Sequence, residues 1–101
     1  MARKKLPPMH PGEVLREEFL VPLRLSALAV AKACGVPRTR FERLSREEIG
    51  VSGDTAVRLA AFFGTTPEFW MNLQSKYELE TARFEIGAEV GKIKRYEAAA
   101  A

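Results

Sequence analysis

One cysteine and one histidine in 101 residues are too few for several kinds of chemistry. Cys34 alone cannot close an internal disulfide, and Cys34 with His10 falls short of the ligand set a zinc site needs. No run of residues approaches the roughly 18 apolar positions of a membrane span. The basic start Ala2-Arg3-Lys4-Lys5 leads into Leu6-Pro7-Pro8 instead of the apolar core of a signal segment. The period-two alternation of a β-hairpin is missing, and so is any internal repeat. The adjacent carboxylates Glu17-Glu18 and Glu47-Glu48 point in different directions on a helix, so they do not form a facing acid and base. Together these absences give the expectation of a cytoplasmic protein that is not an enzyme and has no cofactor, no metal and no membrane association.

The chain does contain enough apolar material for one modest core, with 47% hydrophobic and 29% charged residues. A domain of this size buries only about two-thirds of its unfolded surface, so pairing with a second copy is a natural source of stability. Sixteen Lys and Arg against thirteen Asp and Glu leave a net charge of only +3, with a sequence pI near 9.3. The placement of the positive charge therefore matters more than its sum.

Residues 1–10 carry Arg3, Lys4, Lys5, Pro7 and Pro8 without periodicity and read as a flexible basic arm. His10 has no acid at an obvious spacing and reads as a packing or surface residue. From Pro11 onward the pattern is helical throughout. Pro11-Gly12-Glu13 opens a first amphipathic helix with early acids, which Pro22 is expected to end. Ser26 is a suitable N-cap for Ala27, Val30, Ala31 and Cys34 at i, i+3, i+4 and i+7, and Gly35 supplies a left-handed stop. Pro37 suits the first turn of a third helix, with Phe41 and Leu44 as its inward edge. Ser52 starts a fourth helix through Ala56, Leu59, Ala60 and Phe63, which Gly64 closes. Thr66-Pro67-Glu68 starts a fifth, expected to run to the low eighties before Gly87 and Gly91 weaken the pattern. Residues 81–97 are a C-terminal helical extension in this reading, and Ala98 to Ala101 a disordered or appended tail without function. The expected fold is all-α, with its main body at 11–80.

The informative feature is a pair of short helices joined at Gly35, the second crowded with Arg38, Thr39, Arg40, Arg43 and Arg46. In a helix-turn-helix the second helix enters the major groove, where the arginine fork can donate two bonds to guanine. Arg38, Thr39 and Arg43 lie opposite the inward pair and are the candidates for base reading. Arg40, Ser45 and Arg46 lie off that line and are assigned to phosphates, with Ser26 at its helix start as a further phosphate contact. The plainer alternatives are a solvated charged face or a protein-interaction module, and Glu42, Glu47 and Glu48 are their best support. Cys34 lies on the inward face and reads as a small core residue. Trp70 at helical spacing beside Phe69 and Leu73 reads as core or dimer interface, and so does Tyr77.

Four segments resemble the HigA/VapI-type antitoxins of the Xre helix-turn-helix superfamily: His10 to Phe19, Gly35 to Arg40, Asp54 to Ala60, and Phe63 to Gln74. The resemblance covers roughly residues 9–80, and Gly64 to Gln74 is its most specific part. It implies a five-helix, lambda-repressor-like domain with a DNA-reading helix at Pro37 to Ser45 and a C-terminal dimerisation extension, with dimer contacts at Trp70, Leu73, Tyr77 and Phe84. It further implies a homodimer on a palindromic operator of its own operon and a RelE-like mRNA-cleaving toxin partner of the HigB type. A solitary Xre-type regulator with no toxin is the alternative within the same family. Two departures bear on affinity. Glu47-Glu48 stand where relatives often carry glycine or a basic residue, and Ala27 stands where many place a polar residue that touches the DNA backbone.

Overall fold

A computed structural model of the chain describes residues 7–97. The basic cluster Arg3, Lys4 and Lys5 and the tail Ala98 to Ala101 lie outside the described residues. Five helices and no strand occur among those described. Helix α1 is composite: α-helical Pro11–Val14, a π-wound Leu15–Leu20, then α-helical Val21–Leu23. The others are α2 (Ala27–Cys34), α3 (Arg38–Ser45), α4 (Gly53–Phe63) and α5 (Pro67–Val90). No helix among the described residues is long and apolar enough to cross a membrane.

The expected starts are found. Ser26, Ser52 and Thr66 each accept a bond from the backbone N–H three residues on, and Pro67 occupies the first turn of α5. Pro37 sits one place earlier than expected, as the N-cap of α3. His10 belongs to the ordered domain and not to a loose arm. Its Nδ1 accepts from the Gly12 N–H at 2.9 Å, which caps α1. Its ring stands edge-on to Tyr77 of α5, with centroids 4.7 Å apart.

Helices α1 to α4 end alike, on a left-handed residue followed by a backbone N–H that bonds five residues back. Gly35 and Gly64 serve α2 and α4 as expected. Arg24 (φ 55°) and Glu47 (φ 63°) serve α1 and α3, at positions where an L side chain is strained. Pro22 therefore does not end α1. It lies inside the last turn, because the wider π winding before it relieves the clash a proline ring otherwise makes with the carbonyl four residues back.

The core gathers Leu15 and Leu20 of α1, Val30 and Ala31 of α2, Phe41 and Leu44 of α3, Val51, Ala56, Leu59 and Ala60, and Trp70 of α5. Helix α1 crosses α3 so closely that a Cβ on Gly12 would meet the Leu44 carbonyl oxygen. Gln74 is buried beneath the α3–α4 loop, where its Oε1 accepts from the Val51 N–H at 2.7 Å. Helix α5 passes straight through Gly87 to Val90, longer than its sequence pattern suggested. Beyond Thr81 every described residue of the chain is exposed.

Candidate nucleic-acid interface

The presentation of α3 follows from its two inward residues. Phe41 and Leu44 are completely buried, which turns positions 38, 39, 42, 43 and 46 outward. The turn before it is short because Gly35 takes a left-handed conformation and the Val36 N–H bonds back to Ala31. The outer face carries Arg38 and Arg43, whose side chains are 64% and 55% exposed, with exposed Thr39 between them and exposed Arg46 at the C-terminal end. All three expected base readers thus share one accessible surface.

The residues expected at phosphates are placed less uniformly. Ser26 is exposed at the start of α2, and its hydroxyl accepts from the Ala29 N–H at 3.0 Å, which leaves its own proton to donate. Arg46 is exposed and has no ion pair among the described residues. Arg40 differs from the other arginines. Its side chain is 34% exposed and turned toward α4, where it is hydrogen-bonded to Asp54. Ser45 is half-buried, and its hydroxyl donates to the Glu42 carbonyl at 2.9 Å, which spends it inside the helix. The free chain therefore does not offer Arg40 and Ser45 outward in the manner expected of them. Ala27 packs against the core.

The acids in and around the basic helix are partnered. Glu42 lies 4.0 Å from Arg38 and Glu48 lies 3.5 Å from Arg43. Glu47 is 3.1 Å from Arg16, which reaches over from α1 and also donates to the Ser45 carbonyl at the end of α3. The hydrogen bonds that Arg16 donates to Glu17 and Glu47 hold its guanidinium firmly protonated. Exposed pairs of this length contribute only about 0–1 kcal/mol each, so a phosphate or base edge can displace them. The sequence carries little sign of this group, because positions 16 and 47 belong to separate helices.

Asp54 in the first turn of α4 takes hydrogen bonds from Arg58, at 2.8 Å, and from Arg40. Those two guanidiniums hold its carboxyl below the usual carboxylate range. Arg58 in turn donates to the Cys34 carbonyl at 2.6 Å, tying α4 to the end of α2. The i, i+4 spacing of Asp54 and Arg58 was a readable signal for half of this cluster. Cys34 is half-buried with its Sγ toward the Arg58 carbonyl, and burial pushes its thiol pKa up, away from nucleophilic character.

The expected dimer contacts divide in two. Trp70 is wholly buried within the single chain, its Nε1 donating to Thr65 Oγ1 at 2.8 Å, so it presents no surface to a partner. Leu73 packs on the same core and Tyr77 on His10. Phe84 lies farther along α5 and is exposed, as are Leu79, Ile86 and Val90, which recur at i, i+7 and i+11 along one side of the helix.

No protein-family model matches the chain. It is 45% identical over 80 residues to virulence-associated protein I of Dichelobacter nodosus, covering 79% of this chain and 74% of that one. It is 35% identical to antitoxin HigA-1 of Vibrio cholerae, covering 93% of this chain and 89% of the relative. Among solved structures it is similar to the Pseudomonas aeruginosa antitoxin HigA with the higBA promoter. That match has a TM-score of 0.85 and 42% identity, over 89% of this chain and 99% of the other.

Proposed function

The chain belongs to the HigA/VapI-type antitoxins of the Xre helix-turn-helix superfamily, and on that premise we propose that it is the antitoxin of a type II toxin–antitoxin pair. It binds a palindromic operator as a homodimer, represses its own operon in the cytoplasm and neutralises a RelE-like mRNA-cleaving toxin of the HigB type. Its part is binding and not catalysis, with no cofactor. The observation that carries the DNA-binding half is the outer face of α3, where Arg38, Thr39, Arg43 and Arg46 stand exposed directly after the Gly35 turn, in a chain whose structural counterpart was solved with its promoter.

Two further features support the detail. The exposed stripe Leu79, Ile86 and Val90 suits helix-to-helix pairing of two copies, and a palindromic operator requires their recognition helices to lie about one DNA turn apart, roughly 34–36 Å. The acids that favoured an interaction module are matched to arginines: Glu42 to Arg38, Glu47 to Arg16 and Glu48 to Arg43.

Binding to the promoter upstream of its own gene, titrated across salt, tests the proposal. Affinity should fall linearly in log–log form, by orders of magnitude between about 50 and 200 mM salt. Arg43→Ala should relax discrimination at one position of each half-site, while Arg46→Ala should weaken all sequences alike and flatten the slope by about one. Identical behaviour of the two variants on operator and random DNA would remove the division of roles. Co-purification of a neighbouring-gene product with mRNA-cleaving activity tests the antitoxin half, and its absence leaves a solitary regulator.

A further inference from the structure

Arg40 is the arginine of α3 whose placement differs most from its neighbours. Arg38 and Arg43 face carboxylates of their own helix or the following turn at 4.0 and 3.5 Å, contacts loose enough for DNA to displace. Arg40 is hydrogen-bonded to Asp54 of α4, and Asp54 is not a free side chain. The same carboxylate oxygen, Oδ1, also accepts from Arg58 at 2.8 Å, and Arg58 is anchored on the Cys34 carbonyl at 2.6 Å. The carboxylate also stands in the first turn of α4, where a helix favours negative charge. The chain Arg40–Asp54–Arg58–Cys34 therefore joins the recognition helix α3 to α4 and to the end of α2.

We propose that Asp54 withholds Arg40 from the DNA backbone, trading one sequence-independent phosphate contact per protomer for a fixed recognition helix. The inference rests on the operator-binding reading above. A phosphate contact adds affinity for every duplex and none for a particular one. Retaining Arg40 lowers affinity for every duplex alike, while the fixed recognition helix it secures restores affinity on the operator only, so Asp54 acts as a positioning residue that sets specificity. Arg40 is then a part of the scaffold, in place of the phosphate contact its position on the helix first suggested.

The salt dependence of binding separates this role from a merely structural one, because each cationic phosphate contact adds about 0.9 to the slope. The wild type, Asp54→Asn, Arg40→Gln and the double variant are compared by fluorescence anisotropy on operator and on random duplex of equal length, over a salt series, with thermal melts alongside. Asp54→Asn should bind random duplex roughly five-fold more tightly near 0.15 M salt for each protomer engaged, about thirty-fold for the dimer, and steepen the slope by about one per protomer. Its preference for operator should narrow. Arg40→Gln should leave the slope unchanged, and Asp54→Asn should have no further effect on the slope in that background.

A slope flattened by about one in Arg40→Gln would show Arg40 already on a phosphate and overturn the proposal. An Asp54→Asn variant that keeps the wild-type slope would overturn it too, and so would one that steepens the slope equally with and without Arg40. Should Asp54→Asn melt below the assay temperature, the Arg40→Gln slope decides alone. Loss of wild-type preference for the operator would strike the parent reading, while the random-duplex slopes test the brace regardless.

Discussion

The recognition helix and the last third of α5 are both helical, yet they are maintained in opposite ways. Helix α3 has eight residues, well below the ~12–15 at which an isolated helix becomes even marginal in water. It is held from outside itself. Phe41 and Leu44 are sunk in the core, Arg16 grips the Ser45 carbonyl at one end, and Asp54 holds Arg40 at the side. From Ala82 to Val90 every residue of α5 is exposed, and the helix continues there on its own propensity and on the packed turns before it. Length is thus a poor guide to which helix is rigid. The short, highly charged one is fixed by its neighbours, and the long one runs out beyond them with apolar residues uncovered.

The largest test of that contrast is at Trp70, whose ring packs with Phe19 and Phe63 beneath the four-helix body. Trp70→Ala should cost about 3–5 kcal/mol in urea denaturation and melt α3 together with the rest. A loss under about 1 kcal/mol would break the picture of a recognition helix that depends on one shared core. Next comes the opposite region. Ile86→Asp with Val90→Asp should move the stability of the isolated chain by no more than about 0.5 kcal/mol. The same change should turn a dimer into monomers in sedimentation equilibrium and lower operator affinity at least ten-fold.

A smaller effect is expected at the junction of the two regions, where His10 caps α1 and meets Tyr77 of α5. Burial lowers the His10 pKa below its usual 6.5, outweighing the nearby Glu47, while Arg16 pushes in the same direction as burial. The unfolded chain therefore binds a proton on His10 at a higher pH than the folded one. Stability should be full above about pH 6.5 and decline as pH falls through and below it. His10→Asn puts a capping oxygen in place of Nδ1 and should abolish that decline between pH 7.5 and 5.5 in chemical denaturation, and an unaltered slope would place its origin elsewhere.

The smallest change is Glu47→Gly. It removes a left-handed strain of roughly 1–2 kcal/mol along with an exposed pair to Arg16 that contributes about 0–1 kcal/mol, and glycine's extra unfolded freedom offsets part of the gain. Stability should move by less than about 1 kcal/mol. Operator affinity should rise modestly, because a carboxylate beside the recognition helix is lost.

Much of the body was legible because its signals are local. Ser26, Ser52 and Thr66 each bond a backbone N–H only three residues on. Gly35 and Gly64 mark two of the four left-handed ends, and the apolar spacing of α2 and α4 picks out Val30, Ala31, Ala56, Leu59 and Ala60. The outward set Arg38, Thr39 and Arg43 followed from the inward pair by helical geometry alone. Other features had no local trace. Arg24 and Glu47 carry the same left-handed turn without glycine, so that turn could not be read from residue type. Arg40 and Ser45 lie on α3 where a phosphate contact is reasonable, until Asp54 and the Glu42 carbonyl are brought beside them. Trp70 has the spacing of both a core and an interface residue, and only the packing of Phe19 and Phe63 around it separates the two.

By itself the sequence determined an all-α chain with a glycine-centred turn, a basic second helix and a capped fifth, since caps, stops and periodicity act over five residues or fewer. The tertiary structure alone decided that Arg40 of that helix is turned to Asp54 and that Arg16 reaches over to Glu47. It also decided that Gln74 underpins the α3–α4 loop at Val51, and that a glutamate takes the left-handed position at the end of the recognition helix. Those contacts join residues far apart along the chain. A strained conformation such as that of Glu47 persists only where the surrounding packing over-determines it.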